Sequence, residues 1–336
     1  MINENEKKRD AFSLESTNCA KGIFAVLVVL CHIWGRADVS ADGFVLHNLG
    51  RLLSIFGYIS VSMFFFFSGY GLWLQYKTKG DEYVKRFLRR NVLSLYLINV
   101  IFIIAYTLFL WGVNGSISLG KVLQSFFFGS TIIVNGWFLQ ACLLYYLAYY
   151  FIFRFIKKDT IKLISMAVFL FGYCLLCALA LKLPITWYEC SFTFLFGMIF
   201  CKHKEKVEKI IYSAFSYLIA LGVMLAIFLV TCYIGSSRSN ALGQVLKIIS
   251  AVAFCAVAVL LLSKISVNNC ITRWLGNLYL EIYLMQGFFL VLYKTSFLYI
   301  ENVWLYAVLV LASTLLSAAL IHPLSQRLLK ALKKNA

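Results

Sequence analysis

Apolar runs of about 20 residues recur along the whole chain, and they decide what it can fold into. A helix needs roughly that many apolar residues to cross a hydrocarbon core about 30 Å thick. Composition points the same way. Of the 336 residues, 62% are hydrophobic and 13% charged, with a mean hydropathy of +0.84; a soluble domain is close to a quarter charged. The expected fold is all-α and polytopic. Ten spans are read from the pattern, at roughly 18–34, 49–76, 92–112, 135–155, 161–181, 187–201, 210–233, 243–263, 274–295 and 302–322. The second run is too long for one straight crossing and contains Ser68-Gly69-Tyr70-Gly71, so it tilts, breaks or continues as a cytoplasmic helix.

The net charge of +17 does not mark a nucleic-acid binder, because the cations lie in short clusters between apolar runs, as the positive-inside rule requires. An even span count puts both termini on one side. With that side cytoplasmic, 24 of the 31 Lys and Arg lie inside. The organisation is a cytoplasmic tail at 1–17, one transmembrane domain at 18–322 and a basic cytoplasmic tail at 323–336. No small-residue cleavage site follows the first run, so it reads as a retained helix. No internal repeat favours an inverted-repeat transporter. The ten cysteines sit mostly within apolar runs, where Cys behaves as a small hydrophobe. No metal site is expected, because the Cys174–Cys177 pair has no second pair and no nearby His.

Several polar side chains interrupt the lipid-like segments, where they are costly unless they face protein or water. Lys21 and His32 are eleven residues apart, which at about 100° per residue returns them to one helix face, roughly 16 Å apart along the axis. The unperturbed pKa of a histidine side chain, about 6.5, suits proton transfer near neutrality, so His32 is either a catalytic base or an interfacial histidine bonded to a carbonyl. Glu281, seven or eight residues into its apolar run, must pair, face water or hold a proton. It orients a histidine or a substrate hydroxyl, or partners a buried Arg or Tyr. Gln286 lies about 140° around that helix from Glu281, so the two cannot aim at one point. The run Lys85-Arg86-Phe87-Leu88-Arg89-Arg90 anchors the chain on anionic lipid or holds a phosphorylated group, since Arg forks match phosphate oxygens in pairs. The Ser68-Gly69 step lets a backbone or a thin ligand approach. Trp137 opens a span at the outer surface, and Arg36 and Glu189 lie near that face.

Four stretches together resemble the integral-membrane acyltransferase family 3. They are Lys21-Gly22 with His32, Val61 to Tyr70 with its Phe-Phe-rich Ser68-Gly69 ending, the arginines 86, 89 and 90, and Leu275-Gly276-Asn277 through Leu284. Two departures stand out: Gln286 occupies a position where many members carry a late His, and the basic loop runs on into Leu93, Ser94 and Leu95. The resemblance implies transfer of an acyl group, most simply acetyl from cytoplasmic acetyl-CoA, to a hydroxyl of an extracytoplasmic carbohydrate.

On that basis Lys21, Arg86, Arg89, Arg90 and Ser68 are expected on the donor side. His32, oriented by Glu281, is the expected base or acyl carrier near the outer face, with Arg36, Trp137, Tyr283 and Gln286 around the acceptor. A polar path through the bundle is expected to join the two ends. Expected partners are a surface polysaccharide or lipid-linked sugar and membrane lipid, a homo-oligomer being compatible, and the expected location is a bacterial plasma membrane. The competing reading is a transporter or flippase for a lipid-linked glycan, with His32 and Glu281 as a proton relay.

Overall fold

The computed structural model describes residues 12–36, 43–127, 131–296 and 298–334. The tail cations Lys7, Lys8 and Arg9 lie outside them. Almost everything described is helix. The chain runs α1 (Leu14–Arg36), α2 (Gly43–Phe87), a π-helical turn (Leu88–Val92), α3 (Leu93–Asn114), α4 (Leu119–Ser125), α5 (Trp137–Phe155) and α6 (Asp159–Leu175). A second π-helical turn (Leu176–Ala180) continues α6, and a short loop with a 3-10 turn at Ile185–Trp187 leads to α7 (Ser191–Lys202), α8 (Lys204–Tyr212), α9 (Ala214–Ser236) and α10 (Ala241–Lys264). Then follow α11 (Cys270–Asn277), α12 (Tyr279–Leu292), a two-strand ladder of β1 (Lys294–Thr295) and β2 (Leu298–Tyr299), and α13 (Val303–Lys334).

Seven helical stretches are long and apolar enough to cross a membrane, or eight when a bent pair counts as one span. Each of the ten expected segments coincides with helix, and the lower count has local causes. The second and third form one stretch, Leu53–Asn114. It is interrupted by a kink at Gly80, whose backbone is non-helical (φ 61°, ψ −152°), a positive φ that suits a residue without Cβ, and it runs on through the π-helical turn. The sixth is α7, whose 12 residues extend only about 18 Å. The ninth is broken: α11 and α12 meet at Leu278 with a bend of 72°.

The local signals at helix ends are conventional. Ser118, Ser213 and Asn240 accept from backbone N–H groups at the starts of α4, α9 and α10. Asn269 and Thr272 form a reciprocal capping box on α11, filling donors a helix start leaves unpaired. Gly115 (φ 71°) closes α3. In the bundle α2 is central, packing on α1, α5, α7 and α10. Its closest approach is to α7. A Cβ on Gly69 would overlap the Phe194 carbonyl, and one on Gly197 the Phe66 carbonyl, so small residues permit the crossing. By contrast α9 lies at the edge, with Phe215, Leu218, Val223, Leu229 and Val230 exposed, as for a helix whose outer side meets lipid tails. The core is aromatic, with Phe65, Phe66, Trp73, Tyr106, Tyr145 and Tyr149 among its largest fully buried side chains.

Candidate active site

His32 lies a turn before the end of α1 and lines a cavity of about 950 Å³ at the end of the bundle that the charge bias puts outside. Its Nδ1 is 2.9 Å from Gln286 Oε1. The Gln286 amide is fixed from its other side, because Nε2 donates to the Tyr283 carbonyl at 2.9 Å. Oε1 can only accept, so Nδ1 carries the proton and donates, and Nε2 is the basic nitrogen. An imidazole held in this tautomer can remove a proton without first rearranging. Arg36, one turn further along α1, lines the same cavity, as do Trp137 at the start of α5 and Tyr283 on α12. Trp137 packs against Trp187 with ring centres 6.3 Å apart. The Tyr283 hydroxyl donates to the Asn135 carbonyl, tying α12 to the segment before α5.

Lys21 lines a second, smaller cavity of about 250 Å³ together with Ser68, Gln75, Tyr83, Tyr146 and Tyr279. Its Nζ is 3.4 Å from Asn18 Oδ1 and stands 5.2 Å from the centre of the Tyr279 ring, a distance at which ring and cation attract. Lys21 and His32 thus face different recesses from one side of α1, as their spacing requires.

The two recesses share no lining residue. Where an open polar path was expected, four aromatic rings pack together. Tyr283, in the wall of the outer cavity, lies 5.2 Å from Phe138 and 6.5 Å from Phe64 between ring centres. Those two rings and Tyr279 line the inner cavity, with Phe64 5.7 Å from Phe138 and 6.1 Å from Tyr279. Among the described residues, aromatic rings therefore stand between the two recesses.

Glu281 does not meet His32. Its carboxylate accepts from His322 Nδ1 at 3.0 Å and from the Ser325 hydroxyl, both on α13, and the side chain is 6% exposed. The cause is rotation about α12. Glu281 and Gln286 point to different neighbours, and Gln286 takes the one that carries His32. An orienting role for Glu281 through a direct hydrogen bond is thus replaced by a tie between α12 and α13. His322 carries the same sequence signal as His32, an ionisable group at the end of an apolar run.

The arginines 86, 89 and 90 are exposed at the far end of α2 and in the π-helical turn. None lines the inner cavity. Arg86 pairs with Glu82 at 2.9 Å, one turn back on the same helix. Tyr83, one turn before them, is at the cavity wall, so the arginine surface adjoins the inner recess rather than forming it. No cluster of three His, Cys, Asp or Glu able to hold a metal stands together among the described residues.

Seven or eight membrane-length helical stretches in one bundle, with a histidine in one recess and a lysine in another, define a multi-pass membrane protein. The family model described as an acyltransferase domain matches residues 14–322, from the start of α1 to the middle of α13. The chain belongs to the acyltransferase 3 family, whose activity is acyl transfer. No curated protein and no solved structure matches it significantly.

Proposed function

We propose that the protein transfers an acyl group, acetyl from cytoplasmic acetyl-CoA, to a hydroxyl of an extracytoplasmic carbohydrate, with His32 as the base. The observation that carries this reading is the fixed tautomer of His32 beside a cavity large enough for a sugar unit, on the far side of the bundle from the cationic surface. The acceptor hydroxyl enters the outer cavity and gives its proton to Nε2 as its oxygen attacks the thioester carbon. The new C–O bond forms, the C–S bond breaks, and the departing thiolate takes up the proton. Arg36, Trp137 and Tyr283 are the residues to position the acceptor. Gln286 is the residue to position His32.

On the donor side the fit is to a thin chain. A recess of about 250 Å³ suits the acyl end and part of the arm of acetyl-CoA. Lys21 and Ser68 offer polar contacts within it, and Arg86, Arg89 and Arg90 offer phosphate partners on the adjoining surface. Since aromatic rings stand between the two recesses, that partition must part during transfer.

The direct test is His32→Ala in the purified protein, supplied with labelled acetyl-CoA and a surface glycan. Acceptor labelling should fall at least a thousandfold, while expression and the detergent melting profile stay as in the parent. Full activity in that variant overturns the assignment of base. A protein that moves glycan but leaves acetyl-CoA untouched is a transporter, and the proposal then fails as a whole.

A further inference from the structure

The cations at the outer face carry information about the acceptor. Positive charge is disfavoured on this side of a membrane protein, and only seven Lys and Arg are left outside the cytoplasmic clusters: Arg36, Arg51, Lys121, Lys182, Arg238, Lys247 and Lys294. The side chain of Arg51 is outside the described residues. Of the others, Arg36, Lys121 and Lys247 all line the cavity that holds His32. Arg36 and Lys294 line an adjoining recess of about 290 Å³, which shares Arg36 and Asn114 with the larger one.

These four come from four separate elements, α1, α4, α10 and β1, so no local charge run explains their meeting. Among the described residues none is in an ion pair. Lys294 is partly engaged, donating to the Ile300 carbonyl at 3.0 Å and resting over the Tyr299 and Tyr306 rings. Among the described residues the one carboxylate lining either recess is Glu189, 5% exposed in the wall of the larger cavity. A concave site with low-dielectric walls and a surplus of one sign focuses its field on a ligand of the other. A neutral sugar would gain nothing from that surplus, and the uncompensated cations would repel one another.

We infer that the acceptor bears an anionic group, a phosphodiester or a carboxylate, close to the hydroxyl that is acylated, and that Arg36, Lys121 and Lys247 hold it. Arg36 fixes the distance. It lies four residues from His32 on one helix, about 6 Å along the axis, so the anion sits roughly one sugar residue from the reacting oxygen. Lys121 and Lys247 approach the same volume from α4 and α10. The inference rests on the acyl-transfer reading and specifies the substrate class of that site.

The test uses the full-length protein in phosphatidylcholine nanodiscs, so that no anionic headgroup competes, with labelled acetyl-CoA. Three oligosaccharides of matched length are offered: one neutral, one with a uronate, one with a phosphodiester. At least one anionic acceptor should be used with a kcat/KM roughly tenfold or more above the neutral one, the scale of one charge-assisted contact. Its advantage should shrink as salt is raised. Which anionic acceptor leads identifies phosphate or carboxylate as the recognised group. Lys121→Gln and Lys247→Gln should each lower the anionic-to-neutral ratio severalfold.

A neutral acceptor used as well as the anionic ones overturns the inference and leaves acyl transfer standing. So does donor hydrolysis with no acceptor used. No turnover of the donor at all overturns both.

Discussion

At the level of single side chains, the state of His32 is set by an amide on another helix. Gln286 presents only an acceptor, because its donor is committed to the Tyr283 carbonyl. Gln286→Leu removes that acceptor while keeping most of the side chain's volume. The imidazole is then free to adopt the other tautomer or turn. The expected result is a fall of about tenfold in kcat, the worth of one buried hydrogen bond in the orientation of a base, with KM for acetyl-CoA unchanged because Lys21 and Ser68 lie in the other recess. Steady-state kinetics check it; an altered KM with kcat intact would make Gln286 a binding residue only. The sequence made Lys21 and His32 legible as one face, since eleven residues fix their relation within a helix whatever surrounds it. It also showed that Glu281 and Gln286 diverge. Which of them meets His32 was not legible, since that depends on the rotation of α12 after the bend at Leu278, set by packing on α1 and α13.

At the level of elements, rings drawn from α2, α5 and α12 stand between the two recesses. Phe138 is central to that group, with ring centres 5.7 Å from Phe64, 4.8 Å from Phe65 and 5.2 Å from Tyr283. Shortening it should join the two recesses and let water reach a bound thioester. For Phe138→Ala, release of free thiol from acetyl-CoA without acceptor should rise severalfold, and less acyl should reach acceptor per donor consumed. A Phe→Ala change in a packed core costs about 3–5 kcal/mol, so Phe138→Leu serves as the milder companion and should shift the same two quantities less. Unchanged thiol release in a folded Phe138→Leu protein would mean that the rings do not gate the passage. Helices themselves were readable from run length and caps, and the Ser68-Gly69 step did mark a close backbone approach. The partition was not readable. Each of its rings looks like packing material in its own run, and only the tertiary fold places them between the recesses.

For the whole molecule, orientation is the property on which both faces depend, and it rests on the bias of Lys and Arg toward one side. If the cytoplasmic side is where most cations lie, α1 ends outside and His32 is reached from outside. The cysteines offer a way to check this without inserting a tag. All ten are free and among the described residues, and Cys270 alone is exposed, at the start of α11 near Lys264 and Arg273 on the side assigned to the cytoplasm. Cys31 is half-buried and lines the outer cavity, so Cys31→Ser removes the competing thiol. In that variant a membrane-impermeant maleimide added to intact cells should leave the protein unlabelled. After permeabilisation it should modify Cys270 readily, since that thiol is exposed to solvent. Mass spectrometry of the peptide that contains Cys270 gives the answer. Labelling from outside on intact cells would invert the molecule, place His32 and the cationic outer cavity in the cytoplasm, and remove the reason to look for an acceptor beyond the membrane. The twelve residues of α7 would still be too short for a straight crossing on their own, but its glycine-lined contact with α2 keeps that helix inside the bundle in either orientation. Orientation can therefore fail while the fold survives, and so the thiol experiment tests the functional argument rather than the architecture.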